Sequence, residues 1–396
     1  MSFECKKVAL SDIADLTVGF VGTTAKYYVD KGIRFLRSMN VEPFKINFND
    51  EKFISKEFNE QIKKSELHEG DVVIVRTGKP GACAVVPQHP GTWNCSDLVI
   101  IHPDQDKVDS TYLAAFINLA SGVIHANLVG AVQQHFNVGS AKKMIIDLPP
   151  MEIQRKISRI IDTLNGKLHL LEALADNLND QISTLYHAWF ETFEAIDTEL
   201  VQSDIGPIPS GWKVVCLSEV TENIKKRVGQ NEFKVLSAVS SGILQPSEEY
   251  FTKQVYSKDI SKYIVVEEGC LAYNPARINI GSIGFNDLGY TGCVSPVYVV
   301  VKARNNYHNF LRYFVKTERF NAEVQVRCSG SVRQSMNYAD FGLIQVAYPP
   351  EETILEFNAI IAPIQAYLKL IEKEHEVILS MRDAVLPELM SGNVEL

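Results

Sequence analysis

The chain has 396 residues, 46% apolar and 22% charged, with a net charge of −9, which is ordinary for a globular protein and long enough for two or more domains. No uninterrupted apolar run reaches membrane-spanning length, and the opening Met1-Ser-Phe-Glu-Cys-Lys-Lys lacks the apolar core of a secretion signal. Seven scattered cysteines with no Cys-x-x-Cys pair argue against a disulfide framework and a cysteine zinc site, and fit a reducing cytoplasm.

The acidic excess is unevenly placed. Residues 1–148 carry a net −1, 149–197 carry −4, 198–348 carry +2, and 349–396 carry −6. Two large segments are therefore near neutral and able to present a basic face, while two shorter ones suit solvent or a basic protein partner.

In chain order, residues 1–148 read as a mixed α/β domain. Phe3 to Leu16 is a lead-in with a short helical pattern, and Gly19 to Tyr28 is a Gly/Thr loop ending in the basic-aromatic cluster Lys26-Tyr27-Tyr28. Asp71–Val75 is an apolar run bounded by Gly70 and Gly78, the signature of a buried strand. Arg76-Thr77-Gly-Lys79-Pro-Gly turns the chain, Ala82–Val86 returns, Asp97–Ile101 is another strand, and Thr111–Leu119 has helical spacing. Gly130-Ala-Val-Gln133-Gln134-His135-Phe-Asn is polar and reads as a loop. A last strand at Met144–Ile146 runs into Pro149-Pro150.

From Ile153 apolar residues recur at 153, 157, 160, 164, 168, 171, 175, 178, 182, 185 and 189. The steps alternate four and three, with one 4-4 step at 164–168: a heptad seam with a stutter. Pro-Pro recurs at Pro349-Pro350, offset by 200 residues, and Phe357, Ile360, Ile361, Ile364, Leu368 and Ile371 keep that offset. Asn165-Gly166 at the stutter and Pro363 near the equivalent place predict a bend or break near 162–166 and 362–366.

The repeat extends beyond the helices. Gly70 matches Gly269, and Gly130-Ala-Val-Gln-Gln134-His135 matches Gly330-Ser-Val-Arg333-Gln334-Ser335 at the offset of 200, while a Gly/Pro-rich seam lies at 204–212. The expected architecture is α/β (α+β). It comprises a domain at 1–148, a helix at 149–197, a second similar domain at 198–348 and a helix at 349–396. The two helices pair as an antiparallel coiled coil in a pseudo-twofold internal repeat.

No catalytic constellation stands out. Gly78-Lys79-Pro80 lacks the Ser/Thr and glycine spacing of a phosphate loop, and Pro103-Asp104-x-Asp106-Lys107 lacks a partner for a nuclease metal site. Tyr273-Asn274-Pro275-Ala-Arg277 shares only Asn-Pro with an amino-methyltransferase motif. The nine histidines never take metal-ligand spacing on one helix, so no metal or cofactor is expected on this chain.

Duplex DNA is a better physical fit, since it requires cations for phosphates and amide or planar groups for base edges. The first half offers Lys26, Tyr27, Tyr28, Arg76, Thr77, Lys79, Gln133, Gln134 and His135. The second offers Lys225, Lys226, Arg227, Arg277, Asn279, Arg333, Gln334 and Ser335 at matched places.

Three stretches carry a resemblance to a family. Asp147-Leu-Pro-Pro-Met-Glu-Ile-Gln154-Arg-Lys-Ile resembles the start of the spacer helix in specificity (S) subunits of type I restriction-modification systems. Ile205-Gly-Pro-Ile-Pro-Ser-Gly-Trp212-Lys resembles the start of their second target-recognition domain, and Met381-Arg-Asp-Ala-Val-Leu-Pro387-Glu-Leu-Met-Ser-Gly392 their C-terminal ending. Residues 1–10 lack the Ile-Pro-x-Gly-Trp opening found at 208–212.

The resemblance implies a non-catalytic chain that binds double-stranded DNA, each target-recognition domain reading one half of a split target. The helices would set the gap and dock two methyltransferase subunits that use S-adenosylmethionine. Restriction subunits would join through the complex and bring ATP and Mg chemistry, with no membrane involved. An unfamiliar methyltransferase or nuclease, or a coiled-coil scaffold that binds no nucleic acid, are the alternatives.

Overall fold

The computed structural model describes residues 4–122, 137–239, 242–250, 256–328 and 335–392. The chain forms two compact units that are not contiguous in sequence: unit 1 is 1–174 with 370–396, and unit 2 is 175–369. The reason lies in the two long helices, Met151–Phe190 and Glu351–Ser391, each of which contributes to both units. Both start directly after Pro-Pro. The Pro150 carbonyl accepts from the Ile153 and Gln154 amides at 2.9 and 3.1 Å, and Glu152, or Glu351 and Glu352, stand in the first turn where the helix dipole favours an anion.

The eleven seam positions of the first helix are all buried or half-buried. They pack on the second helix in antiparallel sense. In unit 1, Asn165 meets Arg382 and Glu172 meets His375; in unit 2, Tyr186, Trp189 and Phe190 all meet Phe357. Neither helix breaks at the expected places: both run as continuous helix through 162–166 and 362–366. Pro363 and the residue four before it, Ala359, are both exposed, so the carbonyl that proline leaves without a donor lies on the solvent side of the helix.

In unit 1 a four-stranded antiparallel sheet runs Cys83–Val85, Val72–Val75, Leu98–Pro103, Ala14–Val18. Alternate residues go to opposite faces. Val72, Ile74, Val99 and Ile101 join a core with Ile157, Ile161, Leu386 and Leu389, while Val73, Val75, Leu98 and Ile100 join one with Leu36 and Trp93. Burial on both faces explains why these strands read as unbroken apolar runs.

The lead-in differs from expectation. Lys6–Ala9 is a strand pairing with Ile145–Leu148, and only Leu10–Asp12 forms a helical turn before Ala14–Val18. Leu10 and Ile13 are buried at helical spacing, but the backbone bonds of the flanking residues go to the ladders.

Unit 2 repeats the plan. Its sheet runs Thr221–Ile224, Val299–Ala303, Leu271–Tyr273, Ile283–Phe285, the same order read from the other edge. Lys213–Cys216 pairs with Gln345–Tyr348 as Lys6–Ala9 does with Ile145–Leu148. The offset of 200 survives at single contacts: Ser158 donates to Asp109 in unit 1, and Asn309 donates to Asn358 at 2.9 Å in unit 2. The seam at 204–212 is a hairpin, Leu200–Ser203 with Gly206–Pro209, whose Ile208, with Trp212 beyond it, joins the aromatic core of unit 2.

Apolar content in the second long helix exceeds what its seam requires. An 18-residue window has hydropathy 1.4, enough by length and composition to cross a membrane, with 22% of it buried. Ile354, Phe357 and Ile361 account for part of that apolarity in the unit 2 core, and Ile371, Leu386 and Leu389 are buried in unit 1. Leu370, Val377 and Met381 remain exposed on one face in unit 1, as do Ile360 and Tyr367 in unit 2.

Candidate nucleic-acid interface

In each unit the strand directions bring the predicted loops to one end of the four-stranded sheet. In unit 1 Val18 pairs with Val99, and Val75 with Leu98. The loop carrying Lys26 and the loop carrying Arg76, Thr77 and Lys79 therefore leave side by side. Gly19 permits the first loop to cross close to the neighbouring strand, because a Cβ there would sit 2.9 Å from the Cys95 carbonyl oxygen. In unit 2 Ile224 pairs with Val300, and Tyr273 with Val299. The stretch Lys225–Arg227 and the loop 274–282 thus share an end in the same way. Ser335 is close by, since the Met336 amide donates to the Pro275 carbonyl at 3.1 Å.

Within these loops the predicted residues differ in what they can offer. Arg76 is half-buried and donates to Asp97 Oδ1 at 3.0 Å; Thr77 donates to Asp97 Oδ2 at 2.6 Å. Asp97 neutralises the guanidinium and fixes the loop. Its position was not recoverable locally, because it lies twenty residues downstream of Thr77 and is brought there by the strand pairing. Tyr27 stacks flat on Phe58, with centroids 3.7 Å apart, and the Tyr28 hydroxyl bonds Thr24 Oγ1 at 2.7 Å. Both rings thus have intramolecular partners. Lys26, over the Tyr27 ring, and Lys79 are exposed.

In unit 2, Lys225, Lys226, Arg227 and Arg277 are all exposed, and Asn279, half-buried, accepts through its carbonyl from Gln325 at 3.1 Å. Gln133, Gln134, His135, Arg333 and Gln334 lie outside the described residues.

The chemistry of the described cysteines does not suggest nucleophilic catalysis. Burial raises the thiols of Cys83, Cys95, Cys270 and Cys328, and pushes Cys293 up to about 11, away from the reactive thiolate. Among the described residues, one group has atoms placed to hold a metal ion: His68, Asp71 and His102. It lies at the opposite end of the unit 1 sheet from the cation-bearing loops.

The family model for the Type I restriction modification DNA specificity domain matches residues 4–180. The chain is 22% identical over 390 residues to the putative type I restriction enzyme MjaX specificity subunit of Methanocaldococcus jannaschii, covering 94% of this chain and 90% of that one. It is 21% identical over 348 residues to the MjaIX specificity subunit of the same organism, covering 81% and 77%. The fold is similar to the S subunit of the type I restriction-modification system from M. genitalium, with a TM-score of 0.54 at 13% identity, over 98% of this chain and 96% of that one.

Proposed function

We propose that this chain, similar along most of its length to type I restriction-modification specificity subunits, is the sequence-reading, non-catalytic DNA-recognition subunit of such a complex, each unit reading one half of a split target. The observation that carries this reading is the repeated sheet whose cation-bearing loops leave at one end in both units. Exposed lysines and arginines there suit phosphate contacts, which position a protein on the duplex, while amide and guanidinium groups supply base readout. The near-neutral charge of the two domain segments implies that the chain alone binds DNA weakly and that partners raise the affinity.

The partners are methyltransferase subunits, two by the symmetry of the repeat, and restriction subunits joined through the complex. S-adenosylmethionine, ATP and Mg belong to those partners. The exposed apolar side chains Leu370, Val377 and Met381 in unit 1, and Ile360 and Tyr367 in unit 2, provide protein-docking surface among acidic residues. The seven cysteines are all free, which suits a cytoplasmic, reducing location.

Domain exchange tests the reading. Residues 1–148 are replaced with the corresponding segment of another specificity subunit, and methylated adenines are sequenced in cells carrying the complex. One half of the methylated target should change while the other is retained. A change in both halves, or in neither, refutes the assignment of one unit to one half-site.

A further inference from the structure

We propose that His68, Asp71 and His102 form a binding site for a zinc-class divalent cation in unit 1. The three come together through strand register. Val72 pairs with Ile101, so one step further along Asp71 faces His102, and His102 in turn faces Asp15 on the other side. His68 is held by a tight turn in which the Asp71 amide donates to the His68 carbonyl at 3.1 Å, with Gly70 at φ +85°.

The Asp71 carboxylate is 5% exposed. Its Oδ1 lies 2.7 Å from His102 Nδ1; its Oδ2 accepts from the His68 amide at 2.7 Å and lies 3.5 Å from His68 Nδ1. All three ligand atoms lie within 4.8 Å of one another.

The internal repeat provides a comparison. Leu271 pairs with Val301, so Cys270 and Lys302 hold the places of Asp71 and His102, and Glu222 faces Lys302 as Asp15 faces His102. Glu267 stands where His68 stands, in the same turn, with the Cys270 amide donating to its carbonyl at 3.2 Å. In unit 2 the chain supplies its own cation: Lys302 Nζ is 2.9 Å from the Glu267 carboxylate. Unit 1 keeps Asp15 in the place of Glu222 but has His102 for the ammonium, His68 for Glu267 and the buried Asp71 carboxylate for Cys270, so groups with lone pairs stand where unit 2 holds an ion pair.

The geometry suits a small borderline cation. Metal–ligand bonds of about 2.0–2.2 Å make the edge of a tetrahedron about 3.3–3.6 Å. The 3.5 Å pair is already at that spacing. The 2.7 Å pair is made by the other carboxylate oxygen, Oδ1, and opens by roughly 0.6–0.9 Å as the cation takes the place of the shared proton and one oxygen or both ligate. Two imidazoles with one carboxylate favour zinc, cobalt or nickel over magnesium, which prefers an all-oxygen octahedron. The His68 ring is 68% exposed, so an ion enters from solvent. A bound ion clasps the His68 turn to the strand Leu98–Pro103. The loop beyond that strand is gripped by the start of the first long helix, where Gln154 accepts from the Asp109 amide at 2.9 Å.

The test is titration of metal-free full-length chain with Co²⁺ and then Zn²⁺. The expected result is one Co²⁺ per chain with tetrahedral visible absorption and no thiolate charge-transfer band, displaced by Zn²⁺, and a raised thermal midpoint. His68→Ala removes an exposed ring and should weaken Zn²⁺ binding at least about tenfold, the least that disturbing a metal's partners costs. The double variant His68→Glu/His102→Lys installs the pair found in unit 2 and should abolish Co²⁺ binding while keeping the metal-free stability. Wild-type chain that binds no Co²⁺, or that binds it no better than the double variant does, overturns the proposal. So does stabilisation by acidification alone with no response to metal, because His102 would then carry the cation as a proton.

Discussion

Arg382 is the most informative single residue of the helix pair. It is 8% exposed, donates to buried Asn165 Oδ1 at 3.2 Å, and lies 4.9 Å over the Phe44 ring. A hydrogen bond from a charged donor is worth about 1.5–3 kcal/mol, and a partly desolvated cation–π contact about 1–2 kcal/mol. Arg382→Met keeps most of the stem but leaves Asn165 without its donor. Once the relief of no longer burying the charge is set against those losses, it should cost about 2–4 kcal/mol. At about 1.4 kcal/mol per factor of ten, that is a roughly 30- to 700-fold rise in the opening constant of unit 1. Native-state hydrogen exchange over Ile157–Leu171 reads it directly. Asn165→Leu alone should cost about 1–3 kcal/mol, whereas the double variant should cost clearly less than the sum of the two singles, because the buried donor and acceptor leave together, although Asp383, which also holds the guanidinium at 2.8 Å, stays behind. Strictly additive single costs would refute the claim that these two residues act as a pair across the helix seam.

Other perturbations separate the parts. Phe357 is fully buried, 4.8 Å from Phe190, so Phe357→Ala should cost about 3–5 kcal/mol, with the loss of exchange protection in unit 2. At Glu172, burial raises the carboxyl pKa, but the hydrogen bond and charge of Lys45, with His375, outweigh it and the net shift is downward. The stabilisation is therefore complete above the ordinary value of 4.5 and lost as pH falls through the lowered folded value. With the side chain 36% exposed, the difference between wild type and Glu172→Gln should be at most about 1 kcal/mol at pH 7 and vanish in acid urea titrations. Replacing Lys225, Lys226 and Arg227 with Gln should reduce the salt slope of DNA binding by the assembled complex by up to about 2.7, at about 0.9 per phosphate contact; an unchanged slope would remove this stretch from the interface.

The sequence by itself determined what is periodic along the chain. Pro-Pro at 149 and 349, the seam from Ile153 to Trp189, and the runs at Asp71–Val75 and Asp97–Ile101 are legible because burial of a helix stripe or a two-faced strand dictates residue type every few positions. Tertiary structure decided which of the candidate residues are free to act. Arg76 and Thr77 are held by Asp97, and Tyr27 lies against Phe58, while Lys225–Arg227 stay exposed. It also decided that each compact unit takes part of both long helices, and that His68, Asp71 and His102 meet. Those outcomes depend on strand register and antiparallel helix pairing between residues far apart in the chain. Local spacing carries no record of such pairings, and they arise only when the sheet and the helix seam are assembled.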